Sequence, residues 1–328
     1  MSARVTGWGM AERRVVVEVE GRTLSIGNLD KQLYPDGTTK AEVISYLRAV
    51  APVLLPHLAG RAITMKRFPD GSQGGFFYEK RCPAHAPEWV RTVDQWVNQG
   101  SGRWGKDGQG PKGRKEVPFC LVDGLPTLVW LGGIAALELH APMARAAGAF
   151  GPEVPTLVVF DLDPGSPATA VECAVVALRI RDLLDTLGLR AVVKSSGNKG
   201  LQLYLPVNLP DVTHERARGF AQAIALLLEK QDPQLVVSQQ AKVLRPGKVL
   251  IDWLQNESFK TTVAAYSLRA RDRPTVSTPL AWGEVEALAD GGDPESIQMS
   301  PRQVLTRVAE HGDLFAEAAT LEQSLPKL

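Results

Sequence analysis

Val158-Val159-Phe160-Asp161-Leu162-Asp163-Pro164-Gly165 sets two carboxylates one residue apart at the end of an apolar run. Leu157–Phe160 is short and rich in β-branched and aromatic side chains, so it reads as a buried strand. Side chains alternate along a strand, which sends Asp161 and Asp163 to one side, roughly 7 Å apart at their backbones. Two like charges so placed repel unless something neutralises them.

The neighbouring sequence decides what kind of sheet holds this strand. Pro164 and Gly165 are followed by Ser166-Pro167, read as a helix cap with a first-turn proline. Val171, Ala174, Val175, Leu178, Ile180, Leu183, Leu184 and Leu187 form a wide helical stripe that stops at Gly188. Ala191–Lys194 and Leu201–Val207 read as strands on either side of the turn Gly197-Asn198-Lys199-Gly200. A second helix opens near Thr213, with Ala217, Phe220, Ala221, Ile224, Leu227 and Leu228 at helical spacing. Val249–Trp253 is a last apolar strand carrying Asp252. The order β-α-β-β-α-β is an α/β (α+β) arrangement, the split unit of ferredoxin-like and RNA-recognition-type (RRM-like) folds. Its first and third strands are central and its fourth lies beside the first. Asp252 is therefore expected near Asp161 and Asp163.

Before this core, spanning about 155–255, an N-terminal α/β lobe covers about 12–150. Thr39-Lys40-Ala41-Glu42 is a capping-box signature for a helix reaching about Val50, and Ala62–Phe68 reads as a strand. Residues 101–116, SGRWGKDGQGPKGRKE, hold five glycines and five basic residues and are expected to form a mobile basic loop. Residues 291–328 read as an acidic, weakly amphipathic helical tail.

Composition places the 328-residue chain among ordinary globular proteins, at 44% apolar and 22% charged. No apolar stretch approaches the ~18 residues of a membrane span, and the N-terminus lacks a secretory layout. The cysteines, Cys82, Cys120 and Cys173, are scattered and odd in number, which argues against a disulfide framework. A cytoplasmic location is the default expectation. Net charge is only +1, but Gly283–Leu328 carries nine acidic residues against three basic ones, leaving +7 on Met1–Trp282. A basic body with an acidic tail suits a phosphate-rich partner.

A strand-end D-x-D has several chemical meanings. Haloacid-dehalogenase-type phosphatases also end a buried strand this way, and Ser195-Ser196 falls where those enzymes place a serine or threonine. They use a further pair of neighbouring acids, whereas Ile251–Asn256 offers only Asp252. Sugar-nucleotide transferases use the motif too, without other support here. Helix capping would suit Asp163, but Asp161 follows four apolar residues. Three converging carboxylates suit Mg²⁺ or Mn²⁺, and bridging carboxylates suit two-ion phosphoryl displacement. Lys194–Gln202, KSSGNKGLQ, supplies opposite charge through Lys199 and a turn whose N–H groups are expected to face a polyphosphate. Arg245 and Arg269 lie in the basic stretch Lys242–Arg273.

Read together, NLDKQLYPDGTTK, MKRFPDG, FFYEK, LELH, VVFDLDPG, SSGNKGLQLY, VLIDWLQN and TTVAAYSLRAR succeed one another as in a known family. The chain resembles the polymerase domain of bacterial end-joining ligase D, of the archaeo-eukaryotic primase superfamily, over nearly its whole length. The resemblance implies a polymerase domain over 1–290 that extends a primer 3′-OH at gapped or broken DNA, preferring ribonucleotides and using Mn²⁺ or Mg²⁺. It implies Asp161, Asp163 and Asp252 as catalytic metal ligands. His140, Ser196, Lys199, Gln202, Arg245 and Arg269 would surround the incoming nucleotide. Asn28, Lys31 and Lys40 would hold a 5′-phosphate, Lys66 and Arg67 would face the DNA, and Phe76 and Phe77 would stack on template, with one of the pair expected to pack inward. Without a K-x-D-G motif, a monomeric stand-alone polymerase is expected, working with a separate ligase and end-binding protein. Two departures stand out. The family's G-L-H is Gly200-Leu201-Gln202 here, a neutral donor in place of an imidazole, and the stretch 101–116 is longer than in ligase-fused domains. A phosphohydrolase and a non-catalytic DNA-end-binding module are the alternatives.

Overall fold

The computed structural model describes residues 14–98, 114–146 and 154–326. A hairpin of β1 (Arg14–Val19) and β2 (Arg22–Gly27) leads into α1 (Lys40–Leu58), β3 (Thr64–Arg67) and β4 (Phe77–Glu79). A second hairpin, β5 (Thr92–Asn98) and β6 (Arg114–Cys120), precedes α2 (Leu125–Gly133), β7 (Ala136–Pro142), β8 (Ala144–Arg145) and β9 (Val154–Pro155). The central unit is β10 (Leu157–Pro164), α3 (Ala170–Thr186), β11 (Val192–Ser195), β12 (Leu201–Pro206), α4 (His214–Gln231), β13 (Val236–Val237) and β14 (Val249–Asp252). Then come β15 (Thr261–Val263), β16 (Leu268–Arg269), β17 (Thr275–Val276), β18 (Pro279–Leu280), α5 (Trp282–Ala289), α6 (Pro301–His311) and α7 (Glu317–Thr320).

The main sheet runs β13-β14-β10-β12-β11-β18, so the first and third strands of the split unit are central and the fourth flanks the first, as its topology requires. Strand parity divides the sheet's two faces. Val158, Phe160 and Leu162 pack with Ala177 and Ile180 of α3 and Phe220 and Ile224 of α4. Each such large apolar side chain contributes about 1.5–3 kcal/mol by leaving water. Leu157 and Val159 point the opposite way, into a core shared with α1, α2 and the second sheet, β15-β7-β3-β4. Asp161 and Asp163 continue that second parity. The acids thus emerge where the face between the two sheets opens to solvent.

Several local expectations are corrected. Helix α1 runs past Pro52 and Pro56, which the sequence would take as breakers. Both prolines lie on its exposed side, while Val50, Ala51, Leu54 and Leu58 are buried and carry the helix onward. Helix α3 is capped by Thr169 in a capping box with Glu172, and Ser166-Pro167 belongs to the preceding turn. The competing T-x-x-E signature three residues later wins. Of the basic stretch 101–116, residues 101–113 lie outside the described ones, but Arg114–Glu116 belong to β6. The acidic C-terminal stretch holds several helices whose apolar sides join both cores: Val285 and Leu288 in one, Val304, Phe315 and Ala318 in the other. His57 is buried, and its Nε2 lies 2.9 Å from the Asp313 carboxylate.

Cys82 and Cys120 are joined by a disulfide, against the sequence reading. Their separation of 38 residues carries no signal; the Cys82 N–H donating to Pro118 O at 2.6 Å brings them together. The bond ties the segment after β4 to the end of β6. Replacing both cysteines by serine is expected to lower the unfolding free energy by about 2–4 kcal/mol, read as an earlier urea midpoint. An unchanged midpoint would show that the bond contributes nothing in solution.

Candidate active site

Register places the acids. Asp161 on β10 sits directly opposite Asp252 on β14 and opposite Gln202 on β12, and Gln202 in turn is opposite Lys194 on β11. One row across the sheet therefore reads Asp252, Asp161, Gln202, Lys194, with Asp163 two residues further along β10. Burial and then the Asp163 charge push the Asp161 carboxyl up to about 7, with Asp252 adding to the rise and Gln202 and Lys194 opposing it. Asp163 is also raised, by desolvation and then by Asp252, while Arg245 and Arg269 draw it down. The protein's own cations leave the mutual repulsion of the carboxylates unbalanced.

Asp252 Oδ1 accepts from Gln240 Nε2 at 2.8 Å and Leu254 N at 3.1 Å, and Oδ2 from Gln255 Nε2 at 3.0 Å. Asp161 Oδ1 accepts from Gln202 Nε2 at 3.0 Å. A carboxylate offers about four lone-pair sites, so both acids retain acceptor capacity. Among the described residues, no three His, Cys, Asp or Glu are drawn together into a closed ligand cage. The donor set is nonetheless all oxygen, charged and mutually repelling, which fits a hard divalent cation.

Two turns bring the arginines in. A Cβ on Gly165 would collide with the Arg245 carbonyl oxygen, and one on Gly197 would lie 2.6 Å from Arg269 Cγ. Only glycine permits either approach. Arg245 Nη2 donates to Gln240 O at 2.6 Å, and its Nε is buried without a hydrogen-bond partner. In the 196–200 turn the amides of Asn198 and Gly200 donate to Ser196 Oγ, and that of Gly197 donates to Ser195 Oγ. These N–H groups are therefore engaged internally, which corrects the expectation that they face a polyphosphate. The Ser196 hydroxyl proton and the exposed Lys199 remain for that task.

The second sheet supplies the opposite wall through Glu138. Its Oε2 lies 2.9 Å from His140 Nε2, its Oε1 accepts from Ala270 N at 3.2 Å, and Lys66 Nζ and Arg269 Nε each lie 3.6 Å from Oε1. Burial alone would raise this carboxyl, but His140, Arg269 and Lys66 hold it down to about 2. Burial lowers His140, so the imidazole is neutral near pH 7 and donates from Nε2 to the carboxylate.

The primase-polymerase domain model of LigD matches residues 39–315. The multifunctional non-homologous end joining protein LigD of Mycobacterium bovis is 39% identical over 298 residues, 89% of this chain and 36% of that protein. The bifunctional LigD of Bacillus subtilis is 32% identical over 265 residues, 80% of this chain and 40% of that protein. The solved polymerase domain of Mycobacterium tuberculosis ligase D in complex with DNA superposes with a TM-score of 0.79 at 39% identity, covering 92% of this chain and 99% of that one. The chain belongs to the LigD primase-polymerase domain family. It is thus a nucleotidyltransferase of the primase-polymerase type, and it spans about a third of the length of the mycobacterial LigD proteins it matches.

In this LigD-type domain the remaining expected residues separate by strand parity. Lys66 joins Glu138 and lies 4.1 Å from the Phe76 ring centroid, whereas Arg67 turns to Glu79 at 2.6 Å and stacks over Phe77 at 5.3 Å. Phe76 and Phe77 are 53% and 44% exposed, so neither packs inward. Arg67 lines a cavity of about 470 Å³ together with Asn28, Lys31, Lys40, Arg14 and His85. Backbone bonds gather three of these: Lys31 N donates to Asn28 O at 3.0 Å and Lys40 N to Lys31 O at 2.9 Å. Sequence reasoning missed Glu138, Lys194, Gln240 and Gln255. Only Glu138 left a signal, a lone acid in the apolar run Ala136–Leu139.

Proposed function

We propose that this LigD-type domain is a template-dependent polymerase that fills gaps or extends broken ends in DNA repair, adding ribonucleotides in preference to deoxyribonucleotides. The observation that carries the reading is the pairing of Asp161 with Asp252 across two strands, with Asp163 on the same face and two arginines beside it. Asp161 and Asp163 would hold two Mn²⁺ or Mg²⁺ ions and Asp252 one of them. Bound there, such ions lower the pKa of an attacking hydroxyl and offset charge on a leaving phosphate.

The chain's own residues do the rest. Arg245, Arg269 and Lys199 bind and orient the triphosphate, and the Ser196 hydroxyl donates to a phosphate oxygen. Neutral His140 is held by Glu138 as a hydrogen-bonding wall for the nucleotide. Phe76 and Phe77, exposed and braced by Lys66 and Arg67, stack on the template, an interaction of about 1–3 kcal/mol per base whatever its identity. Asn28, Lys31 and Lys40 take the 5′-phosphate of the downstream strand. A cytoplasmic site of action, cooperation with a DNA ligase activity and an end-binding partner belong to the same proposal; the end-joining names of the relatives support the repair setting. No helix among the described residues is long and apolar enough to cross a membrane.

The test is a labelled, 5′-phosphorylated gapped duplex incubated with Mn²⁺ and each nucleotide in turn. Template-directed extension, greatest with ribonucleotides, is the expected result. A gel shift without extension would make the chain an end-binding module, and phosphate release from small esters would make it a hydrolase.

A further inference from the structure

Gln202 is 4% exposed and Lys194 only 1% exposed, deep beneath the acids. Lys194 Nζ donates to Gln202 Oε1 and, at 2.7 Å, to Ser277 Oγ. Tyr204 OH donates to the same Oε1 at 3.2 Å, and Gln202 Nε2 donates to Asp161 Oδ1 at 3.0 Å. Among the described residues, no carboxylate forms a salt bridge with the Lys194 amine. Burial without one costs stability and pushes the Lys194 pKa well below its ordinary value, with the Asp161 charge pulling it back up.

Donor chemistry fixes how the amide sits. Lys194 Nζ and the Tyr204 hydroxyl both donate to Oε1, and a carboxylate has no donor when ionised. The amide between them therefore has one favoured orientation, its oxygen toward Lys194 and Tyr204 and its NH₂ toward Asp161. Reversed, it would set oxygen against carboxylate and NH₂ against two donors. We propose that Gln202 is a positioning residue that fixes the rotation of the Asp161 carboxylate, itself held in place by Lys194, and that it is not a ligand of the nucleotide phosphates. This rests on the reading of Asp161 as a catalytic acid. It also accounts for the departure from G-L-H. A neutral imidazole carries one N–H and one acceptor nitrogen on opposite sides, so it would accept from Lys194 and donate to Asp161 as the amide does.

The test compares Gln202→Ala, Gln202→His, Lys194→Met and the Gln202→Ala/Lys194→Met double variant. It reads kcat and KM for nucleotide in gap extension, Mn²⁺ binding to the free protein by electron paramagnetic resonance, and thermal stability. Gln202→Ala is expected to lower kcat and weaken Mn²⁺ binding by about 10–100-fold, the usual effect of losing a partner of a metal ligand, while KM stays within about twofold. Gln202→His should recover most of both. Lys194→Met should melt at or above the wild-type temperature and yet lose kcat as Gln202→Ala does, with the double variant no worse than either single one. A rise in KM with unchanged kcat in Gln202→Ala would overturn the proposal in favour of a phosphate contact. Unchanged kcat and Mn²⁺ binding would overturn it outright. If Lys194→Met does not fold, the Gln202→Ala and Gln202→His pair decides alone. A wild-type protein without extension defeats the polymerase reading, whereas the Mn²⁺ comparison still judges the positioning role.

Discussion

Asp161→Asn is expected to yield a protein that melts later than wild type and cannot extend a primer. The folded Asp161 carboxyl keeps its proton up to about pH 7, while the unfolded one releases it near its ordinary value of 3.8. Across that window the folded state binds more protons, so stability falls as pH rises from about 4 to 7. Asparagine removes the charge and with it the penalty. In a chelator at pH 8 the variant should gain a few degrees in Tm, a difference that shrinks toward zero at pH 4, where the wild-type carboxyl is already neutral. Extension should fall by about 1,000-fold or more, the upper end for loss of one electrostatic group at a reacting centre. DNA affinity should change less than about twofold, because the carboxylate faces cations and not the duplex. Mn²⁺ should raise the Tm of wild type alone. Extension within about tenfold of wild type, or an earlier melt at pH 8, would remove Asp161 from the centre of the mechanism.

The second large effect concerns the cavity at Asn28, Lys31 and Lys40. Lys31 forms an exposed ion pair with Asp70 at 3.2 Å, weak enough to yield to a phosphate. Lys40 is buried and opens α1, its ammonium donating to Gly27 O at 3.0 Å. Methionine at 40 keeps the buried stem, so the variant to test is Lys31→Ala with Lys40→Met. Loss of two cationic contacts should flatten the log–log salt dependence of DNA binding by about 1.4–1.8. The preference for a 5′-phosphate over a 5′-hydroxyl at the gap should vanish. Should that preference survive in the double variant, the cavity does not read the 5′ end.

Much of this was legible because it is written in short-range pattern. The alternation around Asp161 and Asp163, the stripes of α3 and α4 and the Gly197–Gly200 turn give the split unit its strand order, and the strand order delivers Asp252. The Thr39–Glu42 box set the start of α1. What could not be read depends on distant partners. Pro52 and Pro56 are tolerated because they and the residues four before them, Arg48 and Pro52, whose carbonyls lose a partner, face water, a property of burial and not of spacing. Gln240 holds Asp252 from an irregular segment before β14 and Gln255 from the 3₁₀ turn Trp253–Asn256 after it, neither with a readable period. Lys194 looks like an ordinary lysine at the end of a strand, and its burial comes from β18, where Pro279 pairs with it. Glu138 gathers Lys66, His140 and Arg269 from three separate strands, a convergence invisible in one dimension.

The row Asp252, Asp161, Gln202, Lys194 has an evolutionary corollary. Because the four residues are aligned by ladder pairing, inserting or deleting one residue in β10 or β12 would rotate every side chain beyond it to the opposite face. Leu162 would then enter the groove and Asp161 the helix-packed interior, so an indel there destroys solubility and chemistry together. Point changes behave differently. On the helix side, α3 and α4 meet the sheet mainly through apolar side chains such as Ala177, Ile180, Phe220 and Ile224, and volume-conserving drift there leaves the ladder undisturbed. Lineages of this domain should therefore diverge freely in the covering helices, acquire insertions in the connections, and keep β10 and β12 invariant in length.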